Sequence, residues 1–408
     1  MKLKTDLWID GGGLARAQSL FGIAPLERLR RSPGTVLDGA RVTISGPTSM
    51  SVNWPGARVD IDTAPTGERL RQALAATDRL VVLDGATVVD PRLIGFLAAV
   101  ARPCVAACGD GAERAVAFCV DSVAVDAIPR DAADLATVAD ALLRAGVIAK
   151  LDEQAFPAYI DKLRRSLPYW LYRVDDAATR RRLEKQLFWD NYKGSTDLLT
   201  AYVYPPLVWP AVLFCARWHI HPNAVTVASI ICAFAAVPLF AGGNWLAGFA
   251  CAYVMSVLDS VDGKVARLTL TDSKIGNVLD HGLDYVHPPF WYFAWALGLG
   301  AHAGDPLYAA AIWLTVFYIA DRIVLGVARF RLGHALHSST RLDERVRSII
   351  ARRNITMTIM AAALLAGVGP AGFFFVTAWQ GLTFAWHGWR TLRLGFLCPG
   401  RRQKERPE

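Results

Sequence analysis

The sequence has few charged residues and no cysteine pair with CxxC spacing. Only 20% of its 408 residues are Asp, Glu, Lys or Arg, which argues against an intrinsically disordered chain. Seven cysteines are present, but no CxxC pair occurs, so we expect no zinc site. The odd count of scattered thiols favours a reducing compartment. No apolar h-region follows Met1, so we expect no cleavable signal peptide.

Apolar residues are abundant but unevenly spread. They make up 53% of the chain, and the mean hydropathy is +0.28, which is high for a wholly soluble enzyme. Residues 1–197 mix polar and apolar positions, whereas long apolar segments dominate residues 198–397. We therefore predict a cytoplasmic α/β domain over 1–150, a helical connector over 151–198, an all-α membrane domain over 199–398 and a basic tail over 399–408.

Short apolar runs alternate with helical stretches in the first domain. Leu80–Leu83 is typical of a buried strand, and Asp84-Gly85 closes it. The stretch Pro91–Ala101 predicts the next helix, and Asp131–Ile148 predicts an amphipathic one. Strands that alternate with helices favour a largely parallel sheet.

Six segments of the second half are long and apolar enough to predict membrane-spanning helices. A preceding apolar stretch, 199–218, is interrupted by three prolines, and we interpret it as a juxtamembrane helix. The six predicted spans are Asn223–Ala241, Trp245–Arg267, Gly276–Leu299, Leu307–Val327, Ile355–Gly369 and Ala371–Trp389.

Basic residues mark one side of this predicted bundle. The connections 242–244, 300–306 and 367–372 contain no Lys or Arg, whereas 328–353 and 390–408 are rich in Arg. The positive-inside rule then places both termini in the cytoplasm and the protein in the inner (cytoplasmic) membrane as a multi-pass protein. This placement accounts for most of the net charge of +8, so we expect no nucleic-acid partner.

Four carboxylates lie in or beside two of the predicted spans. Asp259 and Asp262 are at i and i+3, and Asp280 and Asp284 are at i and i+4, so each pair shares one helical face. Carboxylates that converge cannot all stay ionised without a cation, and their hard oxygens favour Mg²⁺, Mn²⁺ or Ca²⁺. Charged groups in a membrane domain are costly and usually serve function.

Three further residues of this stretch suit a phosphate-bearing ligand. Gly263 and Gly276 have no side chain to block its approach to the backbone. Arg267 lies just over one turn beyond Asp262, where its guanidinium could meet a phosphate. Carboxylates, a divalent cation and an arginine together indicate phosphoryl-group chemistry.

Other membrane classes also use intramembrane carboxylates. An ion-coupled transporter is one alternative, although we find no repeated halves of the kind that transporters show. A membrane prenyltransferase needs two separate Asp-rich motifs and more spans than are predicted here. A binding module on an inert anchor would not need the carboxylates.

The stretch from Asp259 to Asp284 resembles the signature of the CDP-alcohol phosphotransferase family, D-x2-D-G-x2-A-R-x8-G-x3-D-x3-D, at every fixed position. The segment His221–Thr226 is similar to the Pro-Asn-x-x-Thr that opens the first span in many members. The resemblance implies a six-helix membrane domain over 199–398. It also implies a transferase of phospholipid biosynthesis that moves a substituted phosphate from a CDP-alcohol to an acceptor alcohol and releases CMP.

Site roles follow from the resemblance. It implies Mg²⁺ or Mn²⁺ as cofactor, a donor such as CDP-diacylglycerol or a CDP-polyol, an alcohol acceptor, membrane lipids as surroundings and a homodimer. The implied metal ligands are Asp259, Asp262, Asp280 and Asp284, and Asp284 is also the implied general base. The implied CDP-binding residues are Asn223, Thr226, Gly263, Ala266, Arg267 and Gly276.

A second polar cluster follows the fourth predicted span. Arg329, Arg352 and Arg353 belong to it, and they could either set topology or bind an anionic acceptor. The family resemblance points to an inositol phosphate or another polyol phosphate as that acceptor.

The first domain resembles a sugar-nucleotidyltransferase. Leu7–Arg16 is similar to the first strand and Gly-rich loop of these enzymes, Gly22–Arg31 to a following helix, and Leu80–Pro91 to the strand with the metal-binding Asp. The loop lacks the usual G-x-G-T-R spacing and the lysine that meets the nucleotide phosphates. We therefore expect a degenerate domain. The alternative is a bifunctional chain that makes its own CDP-alcohol, with Asp84 and Asp90 as the acidic residues of its first site.

Overall fold

A computed structural model describes most of the chain. It covers residues 5–32, 39–47, 53–108, 114–160, 163, 165–192, 197–272 and 274–397, except for the side chains of 274, 275, 277–281, 283 and 284. The chain divides into two compact units. The first comprises residues 1–161, 165–190 and 268–270, and the second comprises residues 162–164, 191–267 and 271–408.

The first unit is an α/β domain. Its described part contains a sheet in the order β3-β2-β1-β4-β7-β6-β8. The strands are β1 Thr5–Asp10, β2 Val42–Gly46, β3 Arg58–Ile61, β4 Arg79–Asp84, β5 Thr87–Val89, β6 Cys104–Cys108, β7 Ala115–Asp121, β8 Ala149–Lys150, β9 Tyr159–Ile160, β10 Arg165–Ser166 and β11 Leu171–Arg173. The helices are α1 Pro25–Arg31, α2 Thr66–Ala75, α3 Pro91–Ala99, α4 Leu135–Arg144 and α5 Ala177–Asp190.

The central strands are buried on both faces. Along β1, Leu7 and Ile9 join one apolar core, and Trp8 joins the other. Leu93 of α3 packs in the first core and Leu70 of α2 in the second, so helices cover both faces. This arrangement explains the uninterrupted apolar runs in β1 and β4.

The sheet is rich in parallel pairs but is not wholly parallel. β1, β2, β3 and β4 form parallel pairs, whereas β7 is antiparallel to both β4 and β6. β7 follows β6 after a short connection, and a short connection suits an antiparallel pair better than the crossover that a parallel pair needs.

Residues 151–198 differ from the predicted helical connector. Helix α5 occupies Ala177–Asp190, but the short strands β9–β11 precede it. Strand β11 pairs with β5, so Leu171 lies against Val89 in a fully buried position. Pairing with a strand far away in sequence decides the local structure here, and local charge patterns do not reveal such pairing.

The second unit is helical. After a π-helical turn at Leu199–Val203, helix α6 begins at Pro205, within the predicted juxtamembrane segment 199–218. The helices are α6 Pro205–Arg217, α7 Pro222–Ala241, α8 Trp245–Leu268, α9 Lys274–Gly298, α10 Pro306–Leu332, α11 Arg341–Arg347, α12 Arg353–Leu365 and α13 Gly369–Leu392.

Each of the six predicted spans is occupied by a helix in the structure. Within the described residues, α7, α8 and α10 are long and apolar enough to cross a membrane, and α12 is a shorter apolar helix. The topology of six transmembrane helices stays a prediction. Large apolar side chains such as Leu246 and Leu365 are exposed by 86% and 91%, which suits helices that face lipid.

Aromatic residues fill the core between these helices. Phe240 of α7 contacts Trp291 and Trp295 of α9 edge-on. The indole Nε1 of Trp291 donates to the carbonyl oxygen of Ala233 at 2.8 Å, so the polar edge of this ring is satisfied inside the core. The core therefore joins α7 firmly to α9, the helix that carries Asp280 and Asp284.

Candidate functional site

Asp262 on α8 is a buried carboxylate held by α7. Asp262 is only 3% exposed to solvent. Thr226 Oγ1 donates to Asp262 Oδ2 at 2.7 Å, and the Gly263 backbone N–H donates to Asp262 Oδ1 at 2.5 Å. Thr226, predicted to bind CDP, therefore contacts a predicted metal ligand.

Asp259 lies one turn earlier on α8 and forms an ion pair with α12. Arg353 Nη2 donates to Asp259 Oδ2 at 2.6 Å. Both side chains are largely buried, with 24% of the Asp259 side chain and 17% of the Arg353 side chain exposed. The pair was not predicted, since the two residues are 94 positions apart.

A second carboxylate, Asp197, holds the residues on either side of Arg353. Arg352 Nη1 lies 3.4 Å from Asp197 Oδ2, and Asn354 Nδ2 donates to Asp197 Oδ1 at 3.3 Å. The backbone N–H of Thr200 also donates to Asp197 Oδ1, at 3.0 Å. Burial raises the pKa of Asp197, but Arg352 and these hydrogen bonds outweigh burial and hold it below its ordinary value.

Arg267 folds back along α8. A Cβ atom at Gly263 would lie 3.2 Å from Arg267 Nη1, so the glycine leaves room for the guanidinium. Arg267 Nε donates to Asn191 Oδ1 at 3.0 Å. The predicted residue Ala266, next to Arg267, is partly buried on the same helix. The backbone of α8 thus places Arg267 one turn beyond Asp262.

The other half of the predicted motif lies on α9. The helical backbone runs through Gly276, Asp280 and Asp284, which keeps the two aspartates at i and i+4. The side chains of Asp280 and Asp284 lie outside the described residues. Gly276 is partly buried.

Asn223 stands at the start of α7. Its backbone N–H donates to Nδ1 of His221, the N-cap residue, at 3.1 Å. This contact caps the helix that carries Thr226. The structure thus explains part of the His221–Thr226 pattern by helix capping.

The predicted acceptor arginines are not equivalent. Arg352 and Arg353 each contact a carboxylate, as described above. Arg329 is exposed in the last turn of α10. A positive side chain near a helix C-terminus is favourable by itself, so the position of Arg329 also suits a topological role.

Two buried polar contacts between α13 and its neighbours were missed from the sequence. His387 Nδ1 lies 2.5 Å from Asp321 Oδ1, and the two side chains are almost wholly buried. Arg390 donates to both carboxylate oxygens of Asp343, at 2.7 and 2.5 Å. Arg390 was interpreted as a charge that sets topology, and only the fold shows its partner on α11.

A separate set of carboxylates ends the central strands of the first unit. Asp10 ends β1 and pairs with Arg69 at 2.8 Å, and Asp84 ends β4 and pairs with Arg173 at 3.1 Å. Burial raises the pKa of Asp84, and the nearby carboxylate of Asp10 acts in the same direction. Ligands of open α/β sheets bind at such strand ends.

The Gly-rich turn at these strand ends is closely packed. A Cβ atom at Gly13 would lie 2.9 Å from Ala86 Cβ and 3.1 Å from Asp84 Oδ1. Asp90, the other predicted acidic residue, caps α3 and pairs with Arg92 at 2.6 Å. Its contacts are thus those of a helix cap.

Comparisons with known proteins place one family model on the helical part of the chain. The CDP-alcohol phosphatidyltransferase family model matches residues 219–387. No curated protein matches the chain. Two crystal structures of Mycobacterium tuberculosis phosphatidylinositol phosphate synthase (PgsA1) are similar to part of it. The one with CDP-DAG bound has 18% identity and a TM-score of 0.38 over 46% of this chain and 94% of its own. The one in complex with manganese and citrate has 20% identity and a TM-score of 0.37 over 45% of this chain and 87% of its own.

Proposed function

Since residues 219–387 form a CDP-alcohol phosphatidyltransferase domain, as the motif predicted, we propose that the chain transfers a phosphatidyl or similar substituted phosphate from a CDP-alcohol to an acceptor alcohol and releases CMP. The observation that carries this proposal is the pair of α8 carboxylates. Asp262 is held by Thr226, and Asp259 lies one turn away on the same helix.

The residues on α8 fit a divalent cation. Asp259 and Asp262 supply carboxylate oxygens one turn apart, and hard oxygens are the donors that Mg²⁺ and Mn²⁺ prefer. A buried carboxylate such as Asp262 is costly unless a positive charge or hydrogen bonds compensate it. In our proposal Asp280 and Asp284 of α9 complete the set. When bound, the cation neutralises pyrophosphate charge and stabilises the leaving CMP.

In our proposal, the chain's own side chains remove the acceptor proton and bind the donor. Asp284 takes the proton from the acceptor hydroxyl as general base. The acceptor oxygen forms a bond to the β-phosphorus of the donor, the bond from that phosphorus to the oxygen of CMP breaks, and CMP leaves with the electron pair. Arg267 binds donor phosphate, and Asn223, Thr226, Gly263, Ala266 and Gly276 border the donor.

The acceptor proposed is a polyol phosphate such as inositol phosphate. Support comes from the arginines at the ends of α10 and α12, because a guanidinium matches phosphate geometry. Arg329 is exposed there. Arg352 and Arg353 already contact Asp197 and Asp259, so Arg329 is the most accessible of the three for a soluble anion.

The first unit is proposed to be a non-catalytic, nucleotidyltransferase-like domain. Arg173 contacts Asp84, the carboxylate at which such an enzyme would hold a metal ion, at 3.1 Å. The turn at Gly13 is packed against Ala86 and Asp84. The close packing of this turn and the absence of the lysine that meets the nucleotide phosphates in such enzymes both oppose nucleotide binding there.

The protein is further proposed to be a homodimer in the inner membrane with both termini in the cytoplasm. The apolar helices and the positive-inside pattern of the loops support this placement. It puts the C-terminal end of α8, and with it the carboxylates, on the side where soluble phosphates are available.

An acceptor screen tests the proposed function. Purified full-length protein in detergent or lipid receives Mg²⁺, labelled CDP-diacylglycerol and one acceptor at a time. We expect CMP release and a new labelled lipid with one polyol phosphate, and loss of both in Asp284→Asn. Absence of release with every acceptor and with soluble CDP-polyol donors would contradict the proposal.

A further inference from the structure

The N-terminus of α12 carries charge of the unfavourable sign. Arg352 is its N-cap residue, makes no side-chain capping hydrogen bond, and is followed by Arg353 at the first helical position. Helix N-termini favour negative charge and small polar caps, so two arginines here do not serve the helix itself. Their carboxylate partners explain why they are tolerated.

Both sides of Arg353 are anchored to one buried carboxylate. Asp197 is 3% exposed and is contacted by Arg352 and Asn354, the residues immediately before and after Arg353. The backbone N–H of Thr200 also donates to Asp197 Oδ1, at 3.0 Å. The first turn of α12, and with it the origin of the Arg353 side chain, is therefore held in place.

Arg353 acts on one oxygen of Asp259. Its Nη2 contacts Oδ2 at 2.6 Å, a short charge-assisted hydrogen bond between side chains that are mostly buried. This contact fixes one oxygen of the carboxylate and restricts the rotation of the Asp259 side chain. Hydrogen bonds of this kind to a metal-ligating carboxylate orient it and tune the metal affinity.

We propose that Arg353 is a positioning residue, which orients the Asp259 carboxylate for a divalent cation and is itself held by the Asp197 contacts at the start of α12. This inference rests on the proposed function, because it assumes that Asp259 ligates the cation. It assigns Arg353 to the cation side of the site, whereas the sequence left two other roles open, setting the membrane topology or binding the acceptor.

Direct cation binding tests the inference without measuring turnover. Full-length wild-type protein and Arg353→Gln are titrated with Mn²⁺ in detergent, and bound Mn²⁺ is measured by electron paramagnetic resonance. We expect Arg353→Gln to bind Mn²⁺ about 10- to 100-fold more weakly. Arg353→Lys keeps the charge but not the planar fork, so its affinity should fall between the two. The matched control is Arg331→Gln, an exposed arginine that stacks on Phe396 and should bind as the wild type does.

A double-mutant cycle separates positioning from general stability. Asp197→Asn should weaken Mn²⁺ binding in the wild-type background and have little further effect in the Arg353→Gln background, because Asp197 acts through Arg353. Thermal unfolding without Mn²⁺ checks that each variant is folded.

The outcomes distinguish the two claims. Unchanged or tighter Mn²⁺ binding by folded Arg353→Gln, while the wild type binds, would contradict the positioning role alone. A wild-type chain that binds no Mn²⁺ would contradict the proposed function and the positioning role together.

Discussion

At the scale of single residues, the family pattern predicted the site residues of our proposal but not the side chains that contact them. The motif identified Asp259 and Asp262, and the resemblance singled out Thr226. The contacts that join them, Thr226 to Asp262 and Arg353 to Asp259, connect residues 36 and 94 positions apart. Such pairs depend on how helices pack, which a single sequence does not encode in any local spacing.

Removal of the Thr226 hydroxyl tests the contact with Asp262. We expect Thr226→Val to weaken Mn²⁺ binding about 10-fold or more, because a hydrogen bond to a charged group contributes about 1.5–3 kcal/mol. The matched control is Ser229→Ala, one turn further along α7, whose hydroxyl donates to the Met255 carbonyl oxygen rather than to a carboxylate. Equal Mn²⁺ affinities for the two variants would show that the Thr226 contact does not support Asp262.

The lowered pKa of Asp197 predicts a pH dependence of stability. A carboxylate with a lower pKa in the folded state stabilises that state above its ordinary pKa of 3.8, and this contribution disappears as the pH falls through the folded value. Asp197→Asn should therefore unfold at a lower temperature than the wild type at pH 6, and the difference should shrink below about pH 4. Thermal unfolding between pH 3 and pH 6 measures it, and a gap that stays constant with pH would be the contrary result.

At the scale of elements, the long apolar helices were predicted from the sequence, whereas a strand that pairs over a long range was missed. The apolar runs of α7 and α8 predicted helices within a residue of their observed bounds. An apolar run of about 20 residues is too long for an ordinary strand and has the length of a membrane-spanning helix. Strand β11 was missed because it is three residues long and its pairing with β5 crosses a large sequence distance. The sequence also predicted a largely parallel sheet, and the antiparallel pairing of β7 with β4 and β6 was missed.

The hairpin of α12 and α13 depends on close backbone approach. A Cβ atom at Gly372 would lie 2.1 Å from Ala363 Cβ, whereas a Cβ atom at Gly388 on the same helix meets nothing within 4 Å. Gly372→Ala should lower the stability by about 1–3 kcal/mol through overpacking, and Gly388→Ala should be neutral or slightly stabilising. Thermal unfolding in detergent compares the two, and equal melting temperatures would rule out this tight contact.

At the scale of the whole molecule, two units of different chemistry share one chain. The motif carboxylates of the helical unit, from Asp259 to Asp284, lie within the residues that match the family model. In the α/β unit, Asp10 and Asp84 at the strand ends pair with Arg69 and Arg173. Composition alone predicted this division, because apolar residues are concentrated in the second half. Composition could not show that Asp84 has an arginine partner.

A substitution in the first unit tests its non-catalytic role. Asp84→Asn in the full-length protein should leave CMP release unchanged, because the transfer site in our account lies wholly in the helical unit. The wild type should also form no CDP-alcohol from CTP and an alcohol phosphate, followed as pyrophosphate release. Pyrophosphate release that Asp84→Asn abolishes would instead establish a bifunctional enzyme.

The most direct test of the central claim is CMP release from a CDP-alcohol as Mg²⁺ or Mn²⁺ is titrated. The account predicts release that requires the cation and falls about 100-fold or more in Asp262→Asn. Asp305→Asn, a carboxylate before α10 that accepts from the His302 backbone N–H, should behave as the wild type. Cation-independent release, or full activity in Asp262→Asn, would contradict the account.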